Sequence, residues 1–237
     1  MPENIVAMIP ARAGSERLQS KNLRLLDGKP VISYVIEAAK RSGVFWRIVI
    51  NSDTPVFEEI AARYGVEFYA RPPALGSSET KSDDVVADFM DKHPCDIAVW
   101  VNPIAPLQPA EEIKAVIEHF AAEKLDSLIT VKNEQLHCVF DGRPINFRED
   151  ELFAKTQDLK PVQSFVYSIM MWRTENFMAH YRRDGFALLS GKVGYFPVCK
   201  ESTIILKYEE DLQMMEAVLR ARRGGAPAPT YDSVLTD

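Results

Sequence analysis

The sequence predicts an α/β fold in which a mostly parallel, Rossmann-like sheet carries flanking helices. Three observations predict it. Apolar runs such as Ile5–Ile9 and Asp96–Val101 are short and nearly continuous, as buried parallel strands are. Amphipathic stretches with helical spacing alternate with these runs. The 237 residues are enough to bury one substantial core in a single domain.

In the first part of the chain, strands and helices alternate regularly. Strands are expected at Ile5–Ile9, Arg47–Asp53 and Val66–Tyr69, and helices at Val31–Ser42 and Glu58–Tyr64. Gly43 and Gly65 suit the helix ends, because glycine readily adopts the left-handed backbone found there. Right-handed crossovers bring the carboxyl ends of such strands to one edge, where ligands are expected to bind.

The rest of the chain alternates less regularly. Helices are expected at Asp84–Lys92, Glu111–Glu123 and Glu209–Leu219, and strands at Asp96–Val101, Ser127–Val131, Ser164–Trp172 and Ser202–Lys207. From about 132 to 167 the pattern indicates an excursion from the sheet or, alternatively, a long decorated loop. The α/β domain is therefore expected to span 1–223, with an extended Gly/Pro tail at 224–237.

A cationic loop follows the first strand. Arg12, Arg17 and Lys21 lie close together in the sequence, beside Gly14 and Ser15. Backbone N–H groups and basic side chains at the end of a parallel strand bind phosphates in α/β proteins. Three cations suit a triphosphate better than a monophosphate, so we expect a polyphosphate site here. The alternative is a solvated surface loop that carries the same charges.

Composition narrows the classes of function. A net charge of −6 disfavours a nucleic-acid groove or an anionic membrane as partner, so a phosphate site must be a local basic patch. No apolar run approaches the ~20 residues of a membrane span, and we expect no signal peptide. Cys95, Cys138 and Cys199 have neither disulfide nor metal-ligand spacing, which predicts reduced, mostly buried thiols in a cytoplasmic protein.

The cationic loop also matches a known motif. Pro10-Ala11-Arg12-Ala13-Gly14-Ser15, followed by Lys21-Asn22, resembles the opening motif of the acylneuraminate cytidylyltransferase family, which includes the CMP-sialic acid and CMP-Kdo synthetases. The resemblance implies a nucleotide-diphospho-sugar-transferase-like fold. It also implies that CMP is transferred from CTP to an acidic 2-keto sugar, with release of pyrophosphate and with Mg²⁺ as the cofactor.

The resemblance places the nucleotide at the same loop. It implies that Arg12, Arg17 and Lys21 position and neutralise the triphosphate as the catalytic cations. The implied nucleotide-binding residues form a wider set: Ala11, Arg12, Gly14, Ser15, Asn22, Arg71 and Ser82. Arg71 begins an Arg-Pro-x-x-Leu segment that the family shares. Ser82 could bind the nucleotide, cap the helix that begins nearby, or do both.

The segments that carry the sugar-binding candidates depart further from the family than the cationic loop does. The segment 102–108 keeps the two prolines of the related turn but changes most of its other side chains. The sugar-binding candidates are Asn102, Gln108, Gln157 and Tyr167. In the resembling family the excursion at about 132–167 is an arm that packs on a second subunit, so the resemblance also implies a homodimer.

The metal site is where the departure matters most. Ile205 and Lys207 stand where related CMP-sialate synthetases carry two aspartates that hold the divalent ion. Three explanations stay open. Lys207 could replace part of the metal's charge, other carboxylates (Asp53, Asp211 or Glu209) could hold Mg²⁺, or the protein could bind its ligands without efficient turnover. The enzyme class could also be kept with another NTP in place of CTP.

Overall fold

The computed structural model describes residues 3–12, 14, 18–77, 79–225 and 230–232. Its strands are β1 (Ile5–Ala11), β2 (Leu25–Leu26), β3 (Lys29–Pro30), β4 (Arg47–Ser52), β5 (Glu67–Ala70), β6 (Ile97–Val101), β7 (Ser127–Glu134), β8 (Val139–Phe140), β9 (Arg143–Pro144), β10 (Val162–Arg173) and β11 (Val193–Pro197). Its helices are α1 (Val31–Ser42), α2 (Val56–Tyr64), α3 (Ser82–Lys92), α4 (Ala110–Ala122), α5 (Thr174–Asp184) and α6 (Glu209–Gly224).

A seven-stranded sheet in the order β11-β7-β10-β6-β1-β4-β5 forms the centre. The strands run parallel except β10, which lies antiparallel between β6 and β7. The short pairs β2–β3 and β8–β9 lie outside this sheet. The predicted mostly parallel sheet with flanking helices is therefore confirmed.

Apolar side chains cover both faces of the sheet. Ile9 of β1 packs in a cluster with residues of α1, α2 and α4, whereas its neighbour Met8 packs with residues of α3 and α5. A third cluster joins Leu18 in the loop after β1 to Leu206 and to Met215 of α6. This third cluster fixes the loop that follows β1 and the segment that precedes α6 at the same end of the sheet.

The first part of the fold agrees closely with the sequence prediction. Helix α1 spans the predicted residues, and Gly43 follows it with a φ of 67°. Strand β1 continues past the predicted end at Ile9 and includes Pro10. Proline is tolerated there because β6 pairs only with Ile5–Met8, so Pro10 has a sheet neighbour on one side alone.

The predicted strand at Ser202–Lys207 is wrong. Glu201–Thr203 forms a 3-10 turn, and 204–207 has no regular structure. The apolar run at 204–206 instead serves packing, since Leu206 is buried in the third cluster. The last strand of the sheet is β11, which was not predicted because it contains Gly194 and ends at Pro197; an edge strand tolerates both.

The excursion predicted at about 132–167 is shorter at both ends, because β7 continues to Glu134 and β10 begins at Val162. The β8–β9 pair and a 3-10 turn at Thr156–Asp158 follow, and the chain returns to the sheet as β10. Helix α6 ends at Gly224, and the described residues beyond it, 225 and 230–232, form neither helix nor strand.

Cys95, Cys138 and Cys199 are free, but Cys95 and Cys138 are only partly buried and Cys199 is exposed, so the prediction of mostly buried thiols is wrong. In the part of the chain that the structure describes, no helix is long and apolar enough to cross a bilayer.

Candidate functional site

A cavity of about 480 Å³ opens where the carboxyl ends of β1, β5 and β6 meet. The loop after β1, the turn after β5 and the first turns of α3 line it. The segment after β6 and Lys207, just before α6, line it as well. A cavity of this size accommodates a small-molecule ligand.

Positive charge dominates the wall of this cavity. Among the described residues, its lining carries four cationic side chains and no carboxylate; the cations are Arg12, Lys21, Arg71 and Lys207. Three separate parts of the chain contribute them, so the fold rather than the local sequence brings them together. A concentrated patch of this sign on an acidic protein attracts a polyvalent anion.

Arg71 is the most deeply buried of these cations, with only 6% of its surface exposed. Its Nη2 atom donates to Asp53 Oδ1 at 3.4 Å and to the carbonyl oxygen of Ala11 at 3.5 Å. Burial lowers the pKa of the Arg71 guanidinium, while the neighbouring Asp53 acts in the opposite direction. The Nε atom of Arg71 is buried without a hydrogen-bond partner, which would favour a ligand that supplies an acceptor.

Two further buried polar atoms belong to residues that line the cavity. Asn22 Oδ1 and Trp100 Nε1 have no hydrogen-bond partner. Asn22 is 5% exposed and lies in the 3-10 turn Lys21–Leu23. An amide oxygen accepts and an indole N–H donates, so the cavity offers both kinds of hydrogen bond in addition to positive charge.

The carboxylate of Asp53 is packed beneath the turn that follows β5. A Cβ atom added at Gly76 would lie 2.1 Å from Asp53 Oδ2, so only glycine leaves room for the carboxylate here. Thr54 Oγ1 donates to Asp53 Oδ1 at 3.4 Å. These contacts hold Asp53 against Arg71, and Asp53 itself does not line the cavity.

Most of the predicted nucleotide residues meet at this cavity. Those that line it are Ala11, Arg12, Lys21, Asn22, Arg71 and Ser82. Gly14 is described but does not line it, and Ser15 and Arg17 lie outside the described residues. Ser82 is the first residue of α3, whose N-cap position is Lys81, so the structure contradicts helix capping, one of the two roles left open for Ser82.

Most of the predicted sugar-binding residues, unlike the nucleotide-binding ones, do not line the cavity. Asn102 lines the cavity, whereas Gln108, Gln157 and Tyr167 do not. Gln108 is 4% exposed, and its Nε2 atom donates to Glu112 and Ser168. Gln157 is exposed, in the turn before β10. Tyr167 is 46% exposed and has a φ of 59° at the irregularity in β10.

Sequence reasoning missed part of the cavity wall. The lining residues not proposed as site residues include Leu18, Ser77, Thr80, Val85, Trp100 and Pro103. Trp100 was interpreted only as part of an apolar strand. Its position beside the carboxyl end of a central parallel strand is the signal that could have identified it.

The carboxylates of the described chain do not fit a protein-held Mg²⁺ in this cavity. Asp211 Oδ2 accepts the backbone N–H groups of Lys207 and Tyr208 at 2.7 and 2.8 Å, and so caps α6. Asp53 is held by Arg71 and, like Asp211, does not line the cavity. No group of three or more potential metal-ligating side chains occurs among the described residues.

Comparisons with known proteins give the family of this chain. The cytidylyltransferase family profile matches residues 6–220. An N-acylneuraminate cytidylyltransferase of Streptococcus agalactiae is 30% identical over 193 residues, which cover 80% of this chain and 44% of that protein. The chain spans 40–44% of the length of the first N-acylneuraminate cytidylyltransferases that it matches.

A relative of similar length is also found. The post-translational flagellin modification protein B of Campylobacter coli is 32% identical over 231 residues, which cover 92% of this chain and 96% of that protein. The solved structure of a CMP:2-keto-3-deoxy-manno-octonic acid synthetase complexed with CTP has the same fold, with a TM-score of 0.70 and 16% identity, covering 92% of this chain and 99% of that one. The chain therefore belongs to the cytidylyltransferase family.

Proposed function

We propose that this protein transfers CMP from CTP to an acidic 2-keto sugar of the nonulosonic acid or Kdo type. The observation that carries the proposal is the cavity at the carboxyl ends of β1, β5 and β6. Its cations suit the triphosphate, and the buried, unpartnered atoms of Asn22, Arg71 and Trp100 suit the polar groups of a nucleoside. The names of the relatives supply the sugar class.

In the proposed reaction, the anomeric hydroxyl oxygen of the sugar forms a bond to the α-phosphorus of CTP. The bond between the α-phosphorus and its bridging oxygen to the β-phosphate breaks, pyrophosphate leaves, and the hydroxyl proton passes to solvent. Arg12 and Lys21 position and neutralise the phosphates, with Arg17 as a further predicted cation. Such a reaction depends on positioning and charge stabilisation and needs no covalent enzyme intermediate.

The base and ribose are assigned to the side of the cavity that contains Arg71. Ala11, Asn22 and Ser82 lie with it in the lining, and Gly14 and Ser15 are retained as predicted contacts from the loop. Asn102 is the proposed sugar contact on the opposite side. We assign Mg²⁺ no ligand from this chain, because the carboxylates do not fit.

Pyrophosphate release tests the proposal directly. CTP is incubated with a panel of nonulosonic acids and Kdo, with Mg²⁺ present. We expect turnover with at least one sugar and a loss of about 100-fold in Arg12→Ala, because a charge-assisted contact to phosphate is removed. Arg63→Ala, which changes an exposed arginine on α2, is the matched control. No release with any sugar would contradict the proposal.

A second candidate is a protein that binds the nucleotide without efficient turnover. The lack of carboxylates in the described lining favours it, because nucleotidyl transfer normally uses a metal to neutralise the phosphates. This candidate predicts calorimetric binding of CTP or CMP without exchange of labelled pyrophosphate into CTP. Thermal shifts with the four NTPs then decide whether CTP is the preferred nucleotide.

We also propose that the protein is a cytoplasmic homodimer. The excursion between β7 and β10 exposes large apolar side chains, among them Phe140 at 77%, Leu152 at 94% and Phe153 at 72%. A second copy of the chain would cover them, and a reducing compartment suits the three free thiols. Sedimentation analysis should give a dimer that Phe140→Ser with Leu152→Ser dissociates; a monomeric wild type would contradict the proposal.

A further inference from the structure

The charges that line the cavity suit a polyphosphate that is bound without a metal ion held by the protein. The terminal phosphate of a nucleotide loses its second proton with a pKa of about 6, so a nucleoside triphosphate carries about four negative charges at pH 8. The described lining supplies Arg12, Lys21, Arg71 and Lys207 and no carboxylate. Because Arg71 is already paired with Asp53, Lys207 is an important part of the remaining positive charge.

The backbone around Lys207 is held in place from two sides. Leu206 is fully buried, and its N–H donates to the carbonyl oxygen of Ile104 at 2.8 Å. The N–H of Lys207 itself donates to Asp211 Oδ2 at 2.7 Å. Ile104 and Lys207 both line the cavity, so the bond between Leu206 and Ile104 joins the segment before α6 to the segment after β6 at its wall.

The carboxylates that could otherwise hold a metal here already have partners. Asp53 pairs with Arg71, and Asp211 caps α6. Glu209 Oε1 accepts from Arg24 Nη2 at 2.5 Å. None of the three lines the cavity, and Ile205 does not line it either.

We propose that Lys207 binds the phosphates of the nucleotide directly and supplies charge that a carboxylate-held metal would otherwise supply. This inference rests on the proposed function. The ammonium group donates hydrogen bonds to phosphate oxygens and neutralises part of their charge, without the fixed coordination geometry of a metal. It follows that the protein binds CTP tightly in the absence of Mg²⁺.

Calorimetry with CTP and CMP, in EDTA and in MgCl₂, tests this inference. We expect the Kd of the wild type for CTP to differ by less than threefold between the two conditions. In EDTA, Lys207→Met should weaken CTP binding about tenfold and CMP binding less than twofold, because the contact is to the outer phosphates. Lys207→Arg, which keeps the charge, should stay within about threefold of the wild type.

Lys200→Met is the matched control, since Lys200 lies in the same connection before α6 but not in the cavity. It should bind like the wild type, and thermal unfolding confirms that each variant is folded. Lys207→Asp should bind CTP more weakly than Lys207→Met in EDTA, because a repulsive charge replaces a neutral side chain.

The outcomes separate this inference from the proposed function. Wild-type protein that binds neither CTP nor CMP in either buffer would overturn both. CTP binding that weakens tenfold or more in EDTA, or that is the same in Lys207→Met as in the wild type, would overturn the role of Lys207 and leave the nucleotide site intact.

Discussion

Two polar regions lie side by side in this protein and differ in how their side chains are satisfied. One is the cavity, in which buried atoms of Asn22, Arg71 and Trp100 have no partner. The other, which we name the β10 corner, consists of Gln108, Glu112, Thr130, Ser168 and Ser202. In the β10 corner the polar side chains bind one another.

The bonds of the β10 corner form a continuous chain that joins α4, β7, β10 and the 3-10 turn at Glu201–Thr203. Gln108 Nε2 donates to Glu112 at 3.0 Å and to Ser168 at 3.2 Å, and Ser168 Oγ lies 3.0 Å from Thr130 Oγ1. Ser202 Oγ donates to Glu112. Within this corner, the Oε1 atom of Gln108 is the buried side-chain atom without a partner.

The difference between the two regions suggests different roles. Buried polar groups are normally hydrogen-bonded, and each exception calls for an explanation. In the cavity a ligand would provide it, whereas in the β10 corner the side chains stabilise the junction of α4, β7 and β10. Substitutions in the first region should therefore change nucleotide affinity, and those in the second should change stability.

Among the substitutions that compare the two regions, the largest effect is expected for Arg71→Met. Nucleotide affinity should fall by about 30-fold, because a buried cation and an N–H donor are lost from the cavity. Calorimetry below the unfolding transition measures it, with Arg63→Met as the control for the loss of an arginine. Unchanged affinity in Arg71→Met would remove the distinction between the two regions.

Gln108→Leu should have the opposite signature. The free energy of unfolding should fall by about 1–2 kcal/mol, because two hydrogen bonds in a buried site are lost. Denaturant titration measures this change, and the Kd for CTP should stay within twofold. A loss of affinity for the sugar or for CTP without a loss of stability would instead place Gln108 in the binding site.

Gly76→Ala should act on Arg71 indirectly. The new methyl group would displace the carboxylate of Asp53, which then no longer orients the guanidinium. We expect a threefold to tenfold loss of CTP affinity, smaller than for Arg71→Met because the cation is retained. In Arg71→Met the added Gly76→Ala change should have little further effect on affinity, and additive losses would contradict this coupling.

The smallest effect is expected for the pH dependence of stability, which involves His93, a residue that does not line the cavity. His93 is packed between Phe89 and Tyr69, and burial, followed by the charge of Arg47, lowers its pKa. The unfolded chain, with a His pKa of about 6.5, binds more protons just below that pH than the folded chain. The free energy of unfolding should therefore fall as the pH drops below about 6.5.

Replacing His93 by Phe should remove this slope, as followed by denaturant titrations between pH 7 and 5. The Kd for CTP should not follow the His93 titration, because His93 lies at the end of α3 away from the cavity. A pH dependence of stability that is the same in His93→Phe would contradict this role.

The sequence predicted the cavity better than the β10 corner for physical reasons. Arg12, Lys21 and Asn22 follow β1 directly, so the end of one strand places them. Gln108 lies in an equally suggestive segment, but its direction depends on Ser168, which comes from a strand 60 residues later. The irregularity of β10 near Tyr167 sets that contact and leaves no local pattern.

In the C-terminal part of the chain, too, the local sequence was not enough to predict the strands. An apolar run at 204–206 has the composition of a strand, but Leu206 is buried by packing against the third cluster and is bound to Ile104. Conversely, β11 is a strand in spite of Gly194 because β7 pairs with it along one side. In both cases tertiary contacts outweigh local propensity.

A crystal structure of the protein with CTP would show whether the cavity binds the nucleotide. We predict that phosphate oxygens lie within about 3 Å of the Arg12 guanidinium and the Lys21 ammonium, with the nucleoside beside Arg71 and Asn22. CTP bound elsewhere, with Arg12 and Lys21 both turned to solvent and the cavity empty, would contradict it.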